Sequence, residues 1–306
     1  MKRVSRLVRS LRAFADGFSR PAALQVAASV RPRVGLALGG GFARGMAHIG
    51  VLKVFQEEGI PIDFVAGTSS GAIVAAMYCS GTSVREMEEL ARTVRFRHFA
   101  RWTVSRLGFC SNDRMKTFLG KAVQGSRFEE LKTPLAIAAT NLYTGDEVIF
   151  RRGSLLDAIR ASCAYPGMFQ PVEVDGRLLI DGLLVHPVPS QPVRRMGADR
   201  VIGVHLSAHW SPATAPRHMF EVIGQCFSIV QQKMASAWKM HTDVVVEPNV
   251  DDFAYDAFER APELIRAGEV AARAALPAIK RWLAVAPEPA KQKVPAGAAQ
   301  QPATGS

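Results

Sequence analysis

The stretch GLALGGGFARGMAHIGVLKVFQEEGIPIDFVAGTSSG, residues 35 to 71, constrains the fold more than any other part of the chain. Two short apolar runs, RVGLAL and IDFVAG, each end in a glycine cluster, and each cluster opens a segment whose apolar residues recur at helical spacing, over 46–58 and 70–79. Short apolar runs bounded by glycine read as strands and the longer periodic segments as helices, the second ending at Gly81. Strand, glycine turn and helix, twice over, begin an α/β domain.

Further strands are predicted at PLAIAATNL, EVIFRRG, VEVDGRLLI and RVIGVHLS, with a helix over 154–161. VEVDGRLLIDG places Asp175 and Gly176 between two apolar runs, the signal of a tight hairpin, so the sheet is expected to be mixed and mainly parallel. Beyond residue 206 the pattern turns helical, around 220–240 and 261–283. The predicted division is a basic arm over 1–32, an α/β core over 33–206, a helical part of the same domain over 207–284, and a Pro-, Ala-, Gly- and Gln-rich disordered tail over 285–306.

A chain of 306 residues, 48% of them hydrophobic, can bury one large core. Its net charge of +11 is uneven, because residues 1–33 hold eight Lys and Arg against Asp16 alone. Val4, Leu7, Val8, Leu11 and Phe14 recur at helical spacing between the arginines, so the arm reads either as an amphipathic helix for an anionic membrane surface or as a solvated extension. The other basic residues are dispersed without an aromatic platform, which argues against nucleic acid as a partner. No apolar run reaches the roughly 18 residues of a membrane span, and no apolar signal region follows the basic start. Cys79, Cys110, Cys163 and Cys226 lack CxxC spacing and sit among apolar residues, as buried free thiols do. These features predict a cytoplasmic protein, peripheral at most to the inner membrane face.

The glycine clusters pose a chemical choice. A strand–glycine–helix turn offers backbone N–H groups to a phosphate or to a developing oxyanion. The dinucleotide fingerprint G-x-G-x-x-G fails: counted from Gly39 the sixth residue is Arg44, and counted from Gly40 the third is Phe42. No Gly-Lys-Ser/Thr follows either, so no nucleotide cofactor is expected. GTSSG fits G-x-S-x-G, in which Gly67 and Gly71 let a strand turn sharply into a helix and lift Ser69 above the sheet. A serine nucleophile needs a base. Histidines at 98, 186, 205, 209, 218 and 241 leave a Ser-His-Asp triad open; the alternative is Asp181, at the end of an apolar strand before Gly182, where it also reads as a plain strand-end cap.

The loop GLALGGGFARGMAHIGVL, the elbow GTSSG, the segment ASCAYPGMFQPV and the Asp181-Gly182 pair, in that order, resemble the patatin-like phospholipases, especially the bacterial branch related to neuropathy target esterase. The resemblance covers roughly residues 34–206 and continues more loosely through DVVVEPNVDDFAYDAFERAPELIRAG. It implies a three-layer α/β/α fold and a serine lipid acyl hydrolase without metal or cofactor, acting on phospholipid, lysophospholipid or simpler lipid esters. Ser69 matches the nucleophile, Asp181 the general base, and the N–H groups of Gly40, Gly41 and Phe42 the oxyanion hole, supported by Gly39, Arg44, Gly45, Gly67, Gly71 and Gly182. Family members usually carry glycine where Phe42 stands, and a small residue in place of Leu183.

Arg44 reads either as a structural pairing residue or as a phosphate attractor, His48 as a packing residue, and Asn141 as a strand-end cap. Pro166, Met168 and Phe169 read as lining of the site or as core. Three rivals remain: a Ser-His-Asp esterase or thioesterase, a catalytically impaired lipid-binding or regulatory protein, and, weakest, a nucleotide-binding protein.

Overall fold

The apolar runs at the two glycine clusters become adjacent parallel strands, β1 (Val34–Leu38) and β2 (Phe64–Thr68), whose carboxyl ends lie side by side. They belong to a computed structural model that describes residues 31–206, 216 and 219–284. The tail expected over 285–306 and the arm expected over 1–32, apart from Arg31 and Pro32, lie outside the described residues.

The remaining strands are β3 (Arg101–Trp102), β4 (Cys110–Ser111), β5 (Leu135–Asn141), β6 (Glu147–Phe150), β7 (Val172–Val174), β8 (Arg177–Asp181), β9 (Arg200–Val204) and β10 (Val244–Val246). β3 and β4 form a separate hairpin, and the other eight strands make one sheet in the order β10-β9-β1-β2-β5-β8-β7, with β6 also paired to β5. The β10, β9, β1, β2 and β5 pairings are parallel, while β6, β7 and β8 join antiparallel. The sheet is mixed as its sequence predicts, and Asp175 and Gly176 both take positive φ, 48° and 70°, in the hairpin turn between β7 and β8.

Helices cover both faces. They are α1 (Ala47–Glu57), α2 (Ser70–Ser80), α3 (Val84–Thr93), α4 (Arg114–Leu119), α5 (Leu155–Ser162), α6 (Ser190–Arg195), α7 (Met219–Lys233), α8 (Ala235–Lys239) and α9 (Ala261–Ala284). Alternation along β1 shows the layering: Leu36 and Leu38 enter the large core with α1, α2 and α9, whereas Ala37 faces the smaller core of Val188, Val193 and Trp238. Gly35 and the small side chains on that second face let α6 approach closely, since a Cβ on Gly35 would stand 2.3 Å from Val193. Among the described residues no helix is long and apolar enough to cross a membrane.

Several elements depart from the sequence expectation. The helix expected from residue 46 starts at Ala47, after a 3-10 turn over Phe42–Met46. The helical pattern expected around 220–240 is present as two helices, α7 and α8, separated at Met234. Cys226, expected to be buried, is exposed on α7, while the other three thiols are buried and all four are free. Helix α3 is absent from the sequence expectation, although Val84, Met87 and Ala91 recur at helical spacing on its buried face and Ser83 and Glu86 form a reciprocal capping box at its start.

The longest helix, α9, crosses α1 at two glycines. A Cβ on Gly50 would stand 1.9 Å from the carbonyl oxygen of Ile265, and one on Gly268 would stand 1.8 Å from that of Ala47. Backbone cannot retreat as a flexible side chain can, so Gly268→Ala is expected to part the helices and cost on the order of 2 kcal/mol or more. Urea denaturation of wild type and variant measures this; an unchanged midpoint would show that the crossing is not held by close backbone contact.

Candidate active site

The edges of β5 explain why Ser69 meets an acid 112 residues away. Residues 137–140 pair with β6 on one edge, while 135–138 pair with β2 and 139–141 with β8. β2 and β8 therefore share the other edge end to end: Thr68 stands opposite Ala138, and Asp181 opposite the next residue, Ala139.

Ser69 follows Thr68 and turns the chain into α2 with φ 54° and ψ −125°. For a non-glycine residue this left-handed backbone costs roughly 1–3 kcal/mol, which the surrounding close contacts must offset. A Cβ on Gly71 would stand 2.2 Å from the Leu38 carbonyl oxygen, and one on Gly182 would stand 2.3 Å from that of Ala138, so only glycine lets these chains approach. Gly67 abuts the backbone of Ala72, Gly45 abuts Ser70, and Gly39 abuts the carbonyls of Pro187 and Val204.

Within this frame Ser69 Oγ donates to Asp181 Oδ2 at 2.8 Å. The Leu183 N–H donates to Asp181 Oδ1 at 3.0 Å, and Thr140 Oγ1 donates to the Asp181 carbonyl at 2.8 Å. Asp181 has no exposed surface, and Ser69 is 5% exposed. Burial pushes the Asp181 carboxyl up to about 7, against the opposing pull of the Leu183 and Ser69 hydrogen bonds. Cys163 is also buried here, and burial together with the Asp181 charge holds its thiol protonated.

The glycine loop is partly committed elsewhere. The Gly40 N–H donates to the Pro187 carbonyl at 3.2 Å, which corrects the expectation that it is free for an oxyanion. Gly39 donates to Val204 and Ala43 to Tyr255, whereas the N–H groups of Gly41 and Phe42 have no partner among the described residues. Phe42 holds φ 56°, and its ring stacks on Phe96, meets Tyr165 edge-on and tilts against Phe258. Leu183 is buried and fills the space beside Gly40, where a Cβ would stand 2.6 Å from it.

Arg44 is 5% exposed. Its Nε donates to the Phe253 carbonyl at 2.9 Å, and its guanidinium lies 4.1 Å from the Tyr255 ring centre. It clasps that segment to the glycine loop, so the alternative role of attracting a lipid phosphate falls away. His48 Nε2 donates to the Gly39 carbonyl at 2.7 Å, and burial lowers its pKa to about 4, leaving the ring neutral. Asn141 Oδ1 accepts from the Tyr143 N–H, as a strand-end cap does.

Sequence reading passed over Ser162, whose Oγ accepts the Ser69 N–H at 2.8 Å and removes that donor from the possible oxyanion contacts. The available signal was a polar residue in line with Leu155, Ala158 and Ile159 on the buried face of α5. Of the histidines, His98 stacks on Phe118, His186 pairs with Glu147, and His205 lies against Trp238 and Glu247. The His241 carbonyl accepts from Arg194, and His209 and His218 lie outside the described residues.

Ser69 lines an apolar cavity of about 110 Å³. Ile73, Val74 and Met77 of α2, Met87 and Leu90 of α3, and Val94 just after it line this cavity, with Phe42, Phe99 and Phe169 alongside. Met168 and Pro166 belong to the turn that carries Phe169, and that turn joins the Met168 carbonyl to the Cys110 N–H. Among the described residues no three His, Cys, Asp or Glu side chains cluster as metal ligands would.

The family described as patatin-like phospholipase matches residues 36–193, from β1 through the Ser69 elbow and Asp181 into α6. The chain belongs to the patatin-like phospholipase family. An uncharacterized NTE family protein of Mycobacterium tuberculosis is 40% identical over 190 residues, 61% of this chain and 52% of its own. A lysophospholipase of Mycosarcoma maydis is 29% identical over 230 residues, 72% of this chain and 12% of its own. The chain thus spans about half the length of the mycobacterial relative. Among solved structures, VipD from Legionella pneumophila superposes with a TM-score of 0.55 at 12% identity, covering 81% of this chain and 67% of VipD, a likeness of fold alone.

The raised Asp181 pKa has a consequence for stability. Below about pH 4 the carboxyl is neutral in both folded and unfolded chains and costs nothing. Between about pH 4 and pH 7 the unfolded chain loses the proton while the folded one keeps it, so stability falls as pH rises, and above 7 the loss is complete. Asp181→Asn cannot ionise and is expected to melt higher than wild type at pH 8, with the advantage shrinking toward pH 4. Thermal melts across this range test the sign, and equal melting points at pH 8 would contradict it.

Proposed function

We propose that this chain is a serine lipid acyl hydrolase that cleaves phospholipid, lysophospholipid or simpler lipid esters through a Ser69–Asp181 dyad. The hydrogen bond of 2.8 Å between Ser69 Oγ and a wholly buried Asp181, on the wall of an apolar cavity, carries this reading. Asp181 accepts the hydroxyl proton as Oγ attacks the ester carbonyl, and then returns it to the departing alcohol as the tetrahedral adduct collapses to an acyl-enzyme. Water next gives its proton to Asp181, attacks the acyl carbon and displaces Ser69 Oγ, which takes the proton back as the fatty acid leaves.

A carboxyl with a pKa of about 7 suits this work: it is a stronger base than an ordinary aspartate yet is still substantially ionised near neutral pH. The N–H groups of Gly41 and Phe42 supply oxyanion donors, and the α2 and α3 walls take the acyl chain. The family description and the relative named a lysophospholipase support a lipid ester as substrate. The rings of His48, His98, His186 and His205 have partners other than Ser69, and Ser69 Oγ donates to Asp181, which favours the dyad over a Ser-His-Asp triad.

One observation favours a second reading, a lipid-binding protein with little turnover. The backbone of Phe42 is pinned at φ 56° by a ring held among three other aromatics, so the donor N–H groups cannot shift freely.

Turnover of short-chain p-nitrophenyl esters and phospholipid vesicles decides between them. Ser69→Ala and Asp181→Asn are expected to lower kcat/KM by about a thousandfold or more, while His186→Ala changes it less than about tenfold. Wild-type kcat/KM should rise with pH to a plateau above an apparent pKa near 7. A fluorophosphonate should label wild type and not Ser69→Ala. An unlabelled, inactive wild type that Phe42→Gly rescues would instead establish the second reading.

A further inference from the structure

Between Ala100 and Asn112 the chain leaves the core as the hairpin of β3 and β4, with Arg101 opposite Ser111 and Trp102 opposite Cys110. Its base is fixed. The Cys110 N–H donates to the Met168 carbonyl at 2.8 Å, and the Gln170 N–H donates to the Cys110 carbonyl at 2.9 Å. Phe99, just before the hairpin, and Phe169, bridged to Cys110, both line the cavity that holds Ser69.

Its tip has the opposite character. Trp102 is 68% exposed, Leu107 is 65% exposed, and Val104 is wholly exposed. Scattered apolar residues are ordinary on a protein surface, but three large ones within six positions make a patch that calls for an occupant. The same part of the chain supplies charge of one sign: residues 92–111 contain Arg92, Arg95, Arg97, Arg101 and Arg106 and no Asp or Glu. All five arginines are exposed. Arg101 lies 4.0 Å from Asp113, a solvent-facing contact too weak to neutralise it.

Apolar tips interleaved with arginines fit the boundary between lipid headgroups and acyl chains. The apolar groups enter the hydrocarbon edge while guanidinium groups meet phosphates, and the two contributions add. We infer that residues 102–107 insert into the surface of an anionic phospholipid bilayer, with Arg97, Arg101 and Arg106 on the headgroup phosphates. Docking there brings the Ser69 cavity, which the buried Phe99 and Phe169 line, close to the lipid. The choice of a bilayer as occupant rests on the acyl-hydrolase reading, because the hairpin is rooted in the wall of the cavity assigned to the acyl chain.

The test uses the full chain with vesicles of phosphatidylcholine alone and of phosphatidylcholine with one third phosphatidylglycerol. Wild type should co-sediment more strongly with the anionic vesicles, and added salt should weaken this binding. The pair Trp102→Ser with Leu107→Ser should lower the partition constant by about tenfold or more. Arg101→Gln with Arg106→Gln should reduce the preference for anionic vesicles while leaving binding to neutral ones little changed. Bromine-labelled acyl chains should quench wild-type fluorescence more than that of Trp102→Phe, which reports insertion even if the double serine variant fails to fold. Tyr143→Ser, at an 81% exposed position on the turn between β5 and β6, should bind as wild type does.

Wild-type partition of the serine pair, or quenching that ignores Trp102, would overturn the inference. So would vesicle-free self-association that the serine pair abolishes, because the tip would then be a contact between copies of the chain. All of these readouts are binding and can be taken on Ser69→Ala, so failure here leaves the acyl-transfer reading standing. An inactive wild type that still inserts leaves docking standing.

Discussion

Everything at the site depends on how one edge of β5 is divided. β2 occupies its first half and β8, arriving antiparallel, occupies the second, so the carboxyl ends of the two strands meet at Thr68 and Asp181. A slip of one residue in β8 would turn the Asp181 side chain to the other face of the sheet and away from Ser69. The close approach of Gly182 to Ala138, and the bond from Thr140 Oγ1 to the Asp181 carbonyl, hold the register at that point. Register here sets chemistry as well as packing, because the same arrangement removes Asp181 from water and raises its basicity.

That burial sets stability against reactivity. A carboxylate with no exposed surface and two hydrogen bonds to its oxygens costs the fold free energy when ionised. The large apolar core built on α1, α2 and α9 offsets that cost. The tight α1–α9 crossing at Gly50 and Gly268 therefore bears on the site from a distance, since it anchors the helix layer that overlies the Ser69 elbow.

Local pattern carries well where a feature is local. GTSSG between an apolar strand and an apolar helix marks the elbow, Asp175-Gly176 marks the hairpin, and Ser154 marks the start of α5, where its side chain accepts the Asp157 N–H. Pairing between distant segments is not written in local pattern. The sequence places Asp181 at a strand end but cannot say that this strand runs head-on into β2. Nor can it say that Pro187 takes the Gly40 N–H, or that Arg44 finds Phe253 and Tyr255 some 209 residues on. Ser162 and the capping box of α3 were legible, one as a polar interruption of a buried face and the other as Ser-x-x-Glu.

Phe42 stands where the family resemblance leads to an expectation of glycine, and its environment gives the aromatic residue a physical logic. A glycine there would reach φ 56° without strain but would leave the loop, and with it the Gly41 and Phe42 N–H groups, freer to reorient. Phenylalanine meets a left-handed penalty of roughly 1–2 kcal/mol, and its ring contacts with Phe96, Tyr165 and Phe258 return a comparable amount. The net exchange is conformational freedom for a fixed direction of the Gly41 and Phe42 donors. Fixed donors help an enzyme only where they already point at the position the oxyanion will occupy, since they cannot be recruited afterwards. The same ring that pre-organises a correctly aimed loop would lock a misaimed one, so the aromatic cluster determines whether Phe42 sharpens the site or silences it.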